Sequence, residues 1–144
     1  MRVYLDNCCF NRPFDDQSPL HIRLETEAKL YVQDQIKSGV LSLGWSYILD
    51  YENAANPCEE RCAEIQRWED LADCRTVETP EIISLMKKFV QTGLKPLDAL
   101  HVACAVTLDC EVFLTVDKGI LRKGLMVEGI RVMSPIDFLM EREV

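Results

Sequence analysis

Four acidic residues of this 144-residue chain stand where a carboxylate is costly or conspicuous. Asp6 follows the strand-prone run Val3-Tyr4-Leu5, and Asp117 follows a second apolar run, Val112 to Val116. A turn or a helix cap explains either acid alone. Two such acids at strand ends of one parallel sheet open onto the same edge, where ligands gather. Glu52 and Asp50 share a helix expected over Trp45 to Ala55, and at about 100° per residue they point about 200° apart. Trp45, Ile48, Tyr51 and Ala55 form its apolar stripe. Glu52 falls within that arc, whereas Asp50 projects opposite with Ser46 and Asn53. Glu52 is therefore the acid expected to face inward, as a ligand or in a buried salt bridge. Asp98 lies in the first turn of a helix that is apolar almost all round, where the helix dipole favours an anion. His101, one turn on, reads as a hydrogen-bonded core histidine.

Carboxylates converging on one edge repel one another unless a counter-charge meets them. Mg²⁺ or Mn²⁺ is the natural one, because it takes oxygen ligands, keeps several waters and assists hydrolysis of a phosphodiester. The expected chemistry is metal-assisted phosphoryl transfer to water, with Asp6, Glu52, Asp98 and Asp117 as catalytic acids and metal ligands. Lys95, Lys118, Arg122 and Lys123 lie near Asp98 and Asp117, and Arg12 follows Asp6. These cations are candidates for holding substrate phosphates, with solvated surface as the ordinary alternative. Asn7, beside Asp6, is a candidate supporting group.

The chain carries 16 Lys and Arg against 24 Asp and Glu, a formal charge of −8, which argues against wholesale coating of nucleic acid but not against local binding at an acidic, cation-neutralised edge. Hydrophobic residues at 48% and charged residues at 28% exclude a disordered chain and leave one domain with a proper core. No apolar run approaches the roughly 20 residues of a membrane helix, and Asp6 interrupts any apolar leader, so the expectation is a cytoplasmic protein with no membrane partner. Seven cysteines, with no Cys-x-x-Cys pair, fit a reduced chain in which most are core. Cys58 and Cys62, one helical turn apart, could join Cys74 and a histidine around zinc; small apolar packing is the alternative.

Positioning these residues requires alternating elements. Val3 to Leu5 reads as a strand, followed by a long helix to Lys37 with Ser18 as N-cap, Pro19 as first helical residue and Gly39 as stop. Val40 to Leu43 is expected as a strand, Trp45 to Ala55 and Glu59 to Leu71 as helices, and Arg75 to Val77 as a short strand. Pro80 opens a helix through Val90 and Pro96 one through Leu108. Val112 to Val116 and Ile130 to Met133 are strands, and Pro135 opens a terminal helix. The pattern implies an α/β fold, a mostly parallel central sheet flanked by helices on both faces.

The arrangement resembles the PIN-domain nucleases. Asp6 closes the first strand in Val3-Tyr4-Leu5-Asp6-Asn7, Ser46 precedes Glu52 by six residues, Asp98 begins Asp98-Ala99-Leu100-His101-Val102-Ala103-Cys104-Ala105, and Thr115-Val116-Asp117 follows a strand. The resemblance covers nearly the whole chain in the family's order. It implies a single PIN-like domain over 1–144 and a Mg²⁺- or Mn²⁺-dependent ribonuclease acting on single-stranded RNA. It further implies the four acids as metal ligands, the Thr115 hydroxyl as support, and frequent homodimers. Many small members are VapC-like toxins held by an antitoxin; the segment Cys8 to Phe14 departs from the toxin pattern of small hydroxyl residues after the first acid. A haloacid-dehalogenase-type phosphatase fails on Cys8, where a second aspartate is needed, and a phosphoacceptor receiver on Asp6-Asn7, half of the required acidic pair. A catalytically silent PIN-like module that binds RNA or a protein stays open.

Overall fold

A computed structural model describes residues 1–142, so the last two positions of the domain expected over 1–144 lie outside the described residues. Five strands, β1 (Arg2–Leu5), β2 (Ser42–Ser46), β3 (Cys74–Thr76), β4 (Val112–Leu114) and β5 (Arg131–Met133), form one sheet in the order β3-β2-β1-β4-β5. Every pairing is parallel, with Val3 opposite Leu43 on one side and Val112 on the other. The central strands are continuous apolar runs, as a sheet covered on both faces requires. Val3, Tyr4, Leu5, Phe113 and Leu114 are all fully buried.

The helices are α1 (Asn7–Asn11), α2 (Leu20–Lys37), α3 (Tyr47–Ala54), α4 (Glu59–Gln66), α5 (Pro80–Val90), α6 (Pro96–Thr107), α7 (Lys118–Lys123) and α8 (Pro135–Arg142). The chain winds from β1 outward to β3, then returns across the centre to β4. Right-handed crossovers in opposite directions place their helices on opposite faces. α2 accordingly packs with α8, and α5 with α6. The winding reverses between β1 and β4, so the crevice at their carboxyl ends is the topological switch point of the sheet.

Several boundaries differ from the sequence reading, each for a local reason. Val40 and Leu41 do not begin β2, because both their N–H groups bond to the Gln35 carbonyl and finish α2 around Gly39, whose φ of +81° needs no Cβ. Trp45 and Ser46 consequently belong to β2 and not to the next helix; Ser46 caps α3, its Oγ accepting from Leu49 N at 3.2 Å. Ser18 does not cap α2, since its N–H and hydroxyl both donate to Asp16, and Pro19 takes the cap position. The helix expected over Glu59 to Leu71 turns into a 3₁₀ segment at Arg67–Leu71. β3 begins at Cys74, β4 ends at Leu114 and β5 starts at Arg131, one or two residues from expectation. Asp6 and Asp117 each cap a short helix, the ordinary alternative for either acid alone. Among the described residues no helix is long and apolar enough to cross a membrane.

Candidate active site

Asp6 leaves β1 with its N–H still on the ladder, donating to Leu114 O at 2.9 Å. Its side chain is buried, and both of its oxygens accept hydrogen bonds. Oδ1 accepts from Asn7 N at 2.8 Å and caps α1, while Oδ2 accepts from Thr115 Oγ1 at 2.8 Å and from Cys8 Sγ at 3.2 Å. Thr115 follows β4, fully buried, and its Oγ1 also accepts from Asp117 N at 3.1 Å. One hydroxyl thus ties the ends of β1 and β4 together. Asp117 caps α7 through Oδ1, which accepts from Ile120 N, and it is exposed.

Asp98 sits in the first turn of α6, half-buried, and no hydrogen bond to its carboxylate occurs among the described residues. Burial foremost, then the charges of Asp6 and Asp117, with Glu52 adding to them against His101, raise its carboxyl above the ordinary aspartate range. After burial, the charges of all three other acids contribute to that rise.

Glu52 reaches the same edge through His101. Its Oε1 contacts His101 Nε2, while His101 Nδ1 lies 2.6 Å from Tyr4 Oη, which lies 2.6 Å from Ser46 Oγ. Burial alone would lower the His101 pKa. The bond from Glu52, with the fields of Asp6, Glu52 and Asp98, outweighs it and holds the ring above its usual value. Burial also pushes the Tyr4 phenol well up, so Tyr4 is a neutral hydroxyl. The chain of contacts has two consistent directions. A neutral ring donates to Glu52 and accepts from Tyr4; an imidazolium donates to both, and Tyr4 then donates to Ser46.

The helical phase of α3 differs from the expected stripe. Tyr51 is 67% exposed and Ala55 is also outside, whereas Asn53, expected outward, is buried because its amide donates to Cys62 O and Gln66 Oε1. Asp50 turns away to accept from Trp45 Nε1 and Gln66 Nε2.

Among the expected phosphate-binding cations, Arg12 is engaged elsewhere: its guanidinium pairs with Asp15 at 3.0 Å and Glu25 at 3.3 Å and braces the turn after α1. Lys95, Lys118 and Arg122 are exposed and form no ion pair among the described residues. Lys123 lies across Gly93, where an added Cβ would meet its Nζ at 3.2 Å, close to the start of α6.

Zinc is not supported: Cys62 Sγ donates to Asn53 O, and among the described residues no group of three or more His, Cys, Asp or Glu closes around a point as a ligand set. Cys9, Cys104 and Cys110 are buried in the core and Cys8 and Cys74 pack against it, so most of the seven cysteines are packing residues. The same absence of a preassembled set applies to the four acids. A hydrated hard cation does not need one, because it keeps several waters between itself and its carboxylates. Two observations fit such an ion. Among the described residues Asp98 is unpaired beside acids that repel it, and Asn7 Oδ1, next to Asp6, is a buried oxygen with no hydrogen-bond partner. Sequence reasoning missed Cys8 and Tyr4 as contacts of the site; only the position of Cys8 two residues after Asp6 hinted at it.

Comparison with known proteins returns one family, described as PIN domain, whose profile matches residues 3–124. No protein of curated function matches the sequence. Similar solved structures include VapBC-1 from nontypeable Haemophilus influenzae, at 14% identity and a TM-score of 0.61, covering 94% of this chain and 98% of that one. FitAcB from Neisseria gonorrhoeae is 15% identical with a TM-score of 0.58 over 92% of this chain and 97% of that one. PAE2754 from Pyrobaculum aerophilum is 18% identical with a TM-score of 0.55 over 99% and 94%. At these identities the likeness concerns the fold.

Proposed function

The chain belongs to the PIN-domain family, and from that premise we propose that it is a Mg²⁺- or Mn²⁺-dependent endoribonuclease that hydrolyses phosphodiester bonds of single-stranded RNA. The observation that carries this reading is the joining of Asp6 and Asp117 through the Thr115 hydroxyl at the switch point of the sheet, with the Asp98 carboxyl raised by burial and by the charges of Asp6, Asp117 and Glu52. In this reading Asp6, Asp98, Asp117 and Glu52 hold the ion, with the Asn7 carbonyl oxygen facing it. When bound, Mg²⁺ or Mn²⁺ supplies the positive charge that eases ionisation of an attacking water and balances the departing oxygen. Thr115 fixes Asp6 against Asp117. His101, backed by Tyr4 and Ser46, fixes the Glu52 carboxylate and is the group through which a proton on Glu52 is exchanged. Lys95, Lys118 and Arg122 meet the RNA phosphates.

The likeness to VapBC-1 and FitAcB supports a VapC-like role with a small antitoxin partner. Homodimers and a cytoplasmic setting belong to the same proposal. A short upstream reading frame encoding a DNA-binding domain with a tail is the genomic expectation. The test of activity is cleavage of a single-stranded RNA by purified protein with Mn²⁺, its loss with chelator, and its loss in Asp6→Asn and Asp98→Asn variants that keep the fold. Full activity in both variants overturns the assignment of the acids. A second reading, a catalytically silent PIN-like module binding RNA or a protein, is compatible with a likeness to solved structures that concerns the fold. Mn²⁺ binding without cleavage of any RNA selects it.

A further inference from the structure

Away from the acidic edge, α2 faces α4 and the 3₁₀ segment Arg67–Leu71 across a cavity of about 360 Å³, at the lower end of the range for small-molecule sites. None of the four acids lines it. Two polar side chains on its α2 wall, Lys29 and Gln33, are each only 4% exposed and lie one helical turn apart. Gln33 Nε2 is buried with no acceptor among the described residues. Lys29 forms no hydrogen bond and no ion pair among the described residues, although its Nζ lies 5.7 Å from the centre of the Phe10 ring. Buried donors are ordinarily matched. Here the Gln33 amide nitrogen is such a donor, and the Lys29 ammonium, which lines the same cavity, forms no hydrogen bond among the described residues.

The other charged groups around the cavity do not supply the missing acceptor. Glu64 lines the far wall but makes no ion pair with Lys29. Lys37, one turn beyond Gln33, lies over the Trp68 ring at 5.2 Å, and Arg67 adds a further positive charge. Three cations against one acid leave the cavity positive. The remaining surface is apolar: Phe10, Leu30, Ile65 and Trp68.

We propose that this cavity is a binding site for a small organic monocarboxylate, one oxygen accepting from Lys29 Nζ and the other from Gln33 Nε2, with the apolar body of the ligand against Phe10, Ile65 and Trp68. A single negative charge matches the one buried cation of the wall, Lys29, since Lys37, Glu64 and Arg67 are exposed and screened by water. A neutral ligand would leave the ammonium as exposed to the apolar walls as before. Burial brings the Lys29 pKa down to about 8, with Cys9, Lys37 and Glu64 as the lesser influences, and an anion beside the amine reverses that fall. The inference is independent of the nuclease reading.

The experiment compares octanoate with 1-octanol, equal in chain length and differing in charge, on the wild-type chain and on Lys29→Met and Gln33→Leu. Binding is followed by calorimetry and by the fluorescence of Trp45 and Trp68, of which Trp68 lines the cavity, and the Lys29 amine by NMR titration. Octanoate should bind about tenfold or more tightly than octanol, as loss of a charge-assisted hydrogen bond implies, and should raise the Lys29 pKa. Lys29→Met should erase the preference, and Gln33→Leu should reduce it. Equal binding of acid and alcohol, no binding of octanoate, or undiminished octanoate binding by Lys29→Met overturns the proposal. Circular dichroism and NMR spectra of both variants establish that they are folded, and the wild-type acid-to-alcohol comparison decides the matter without either of them.

Discussion

Thr115→Val tests whether one hydroxyl registers the two strand-end acids. Valine matches threonine in shape, so the fully buried site is not emptied, and the change removes only the oxygen that joins Asp6 Oδ2 at 2.8 Å to Asp117 N at 3.1 Å. Loss of the bond to a charged acceptor costs about 1.5–3 kcal/mol, and an N–H left without an acceptor costs about 1–3 kcal/mol more. Asp117 is exposed, so water can reach that N–H and the second cost falls at its low end. The added apolar burial of valine returns about 1 kcal/mol. The net expectation is a loss of about 2 kcal/mol.

Urea denaturation measures it as a lower midpoint with unchanged slope. Thr115→Ser keeps the oxygen and gives up a methyl group, costing about 1 kcal/mol, so the serine variant should be the more stable of the two and should retain RNA cleavage that valine loses. A double-mutant cycle with Asp6→Asn should return a coupling of about 1–2 kcal/mol, as expected for direct partners. A valine variant as stable as the serine variant, or a coupling near zero, refutes the strut.

Asp98→Asn should stabilise the metal-free protein, because burial and three neighbouring carboxylates disfavour its charge. The sign follows from linkage. The folded state holds the Asp98 proton to higher pH than the unfolded chain, so the native advantage of protonation is lost as pH rises through the folded pKa. Mn²⁺ should raise the wild-type melting temperature more than that of Asp98→Asn; an equal rise, or a destabilised apo variant, counts against the site. Lys29 behaves oppositely: its folded pKa of about 8 lies below 10.5, so the unfolded chain binds more protons in that window and stability climbs with pH, by at most about 3 kcal/mol. Denaturation of wild type and Lys29→Met from neutral pH to pH 10.5 should show that climb only in wild type, with Lys29→Met the more stable at neutral pH; parallel curves show that Lys29 is not buried as a cation.

The sheet was legible because its punctuation is local. Asp6, Gly39, Pro80, Pro96 and Pro135 each stop or start an element through their own backbone or cap chemistry, and the structure finds boundaries within a residue or two of them. β2 was displaced where the punctuation was not local. Val40 and Leu41 are apolar enough for a strand, but the Gln35 carbonyl holds their N–H groups at the end of α2, and that competition leaves no mark in residue type. Periodicity on α3 failed similarly, since Asn53 is drawn inward by partners on α4 that lie 9 and 13 residues away in sequence.

At the site, the residues readable in advance were those whose cost is intrinsic. A carboxylate closing an apolar strand, or opening a helix apolar on every side, is conspicuous whatever surrounds it. Arg12 and His101 carry no such intrinsic sign. Arg12 follows Asp6 closely enough to suggest a phosphate ligand, yet two carboxylates, one of them thirteen residues on in α2, satisfy it. His101 reads as core and is core, at 1% exposure, but it also carries Glu52 on one nitrogen and Tyr4 on the other. Glu52 is met by a histidine 49 residues away, and only half of the stripe that singled it out, Trp45 and Ile48, is buried. Residue type discloses an unpaid electrostatic cost; only the packed chain discloses which partner meets it.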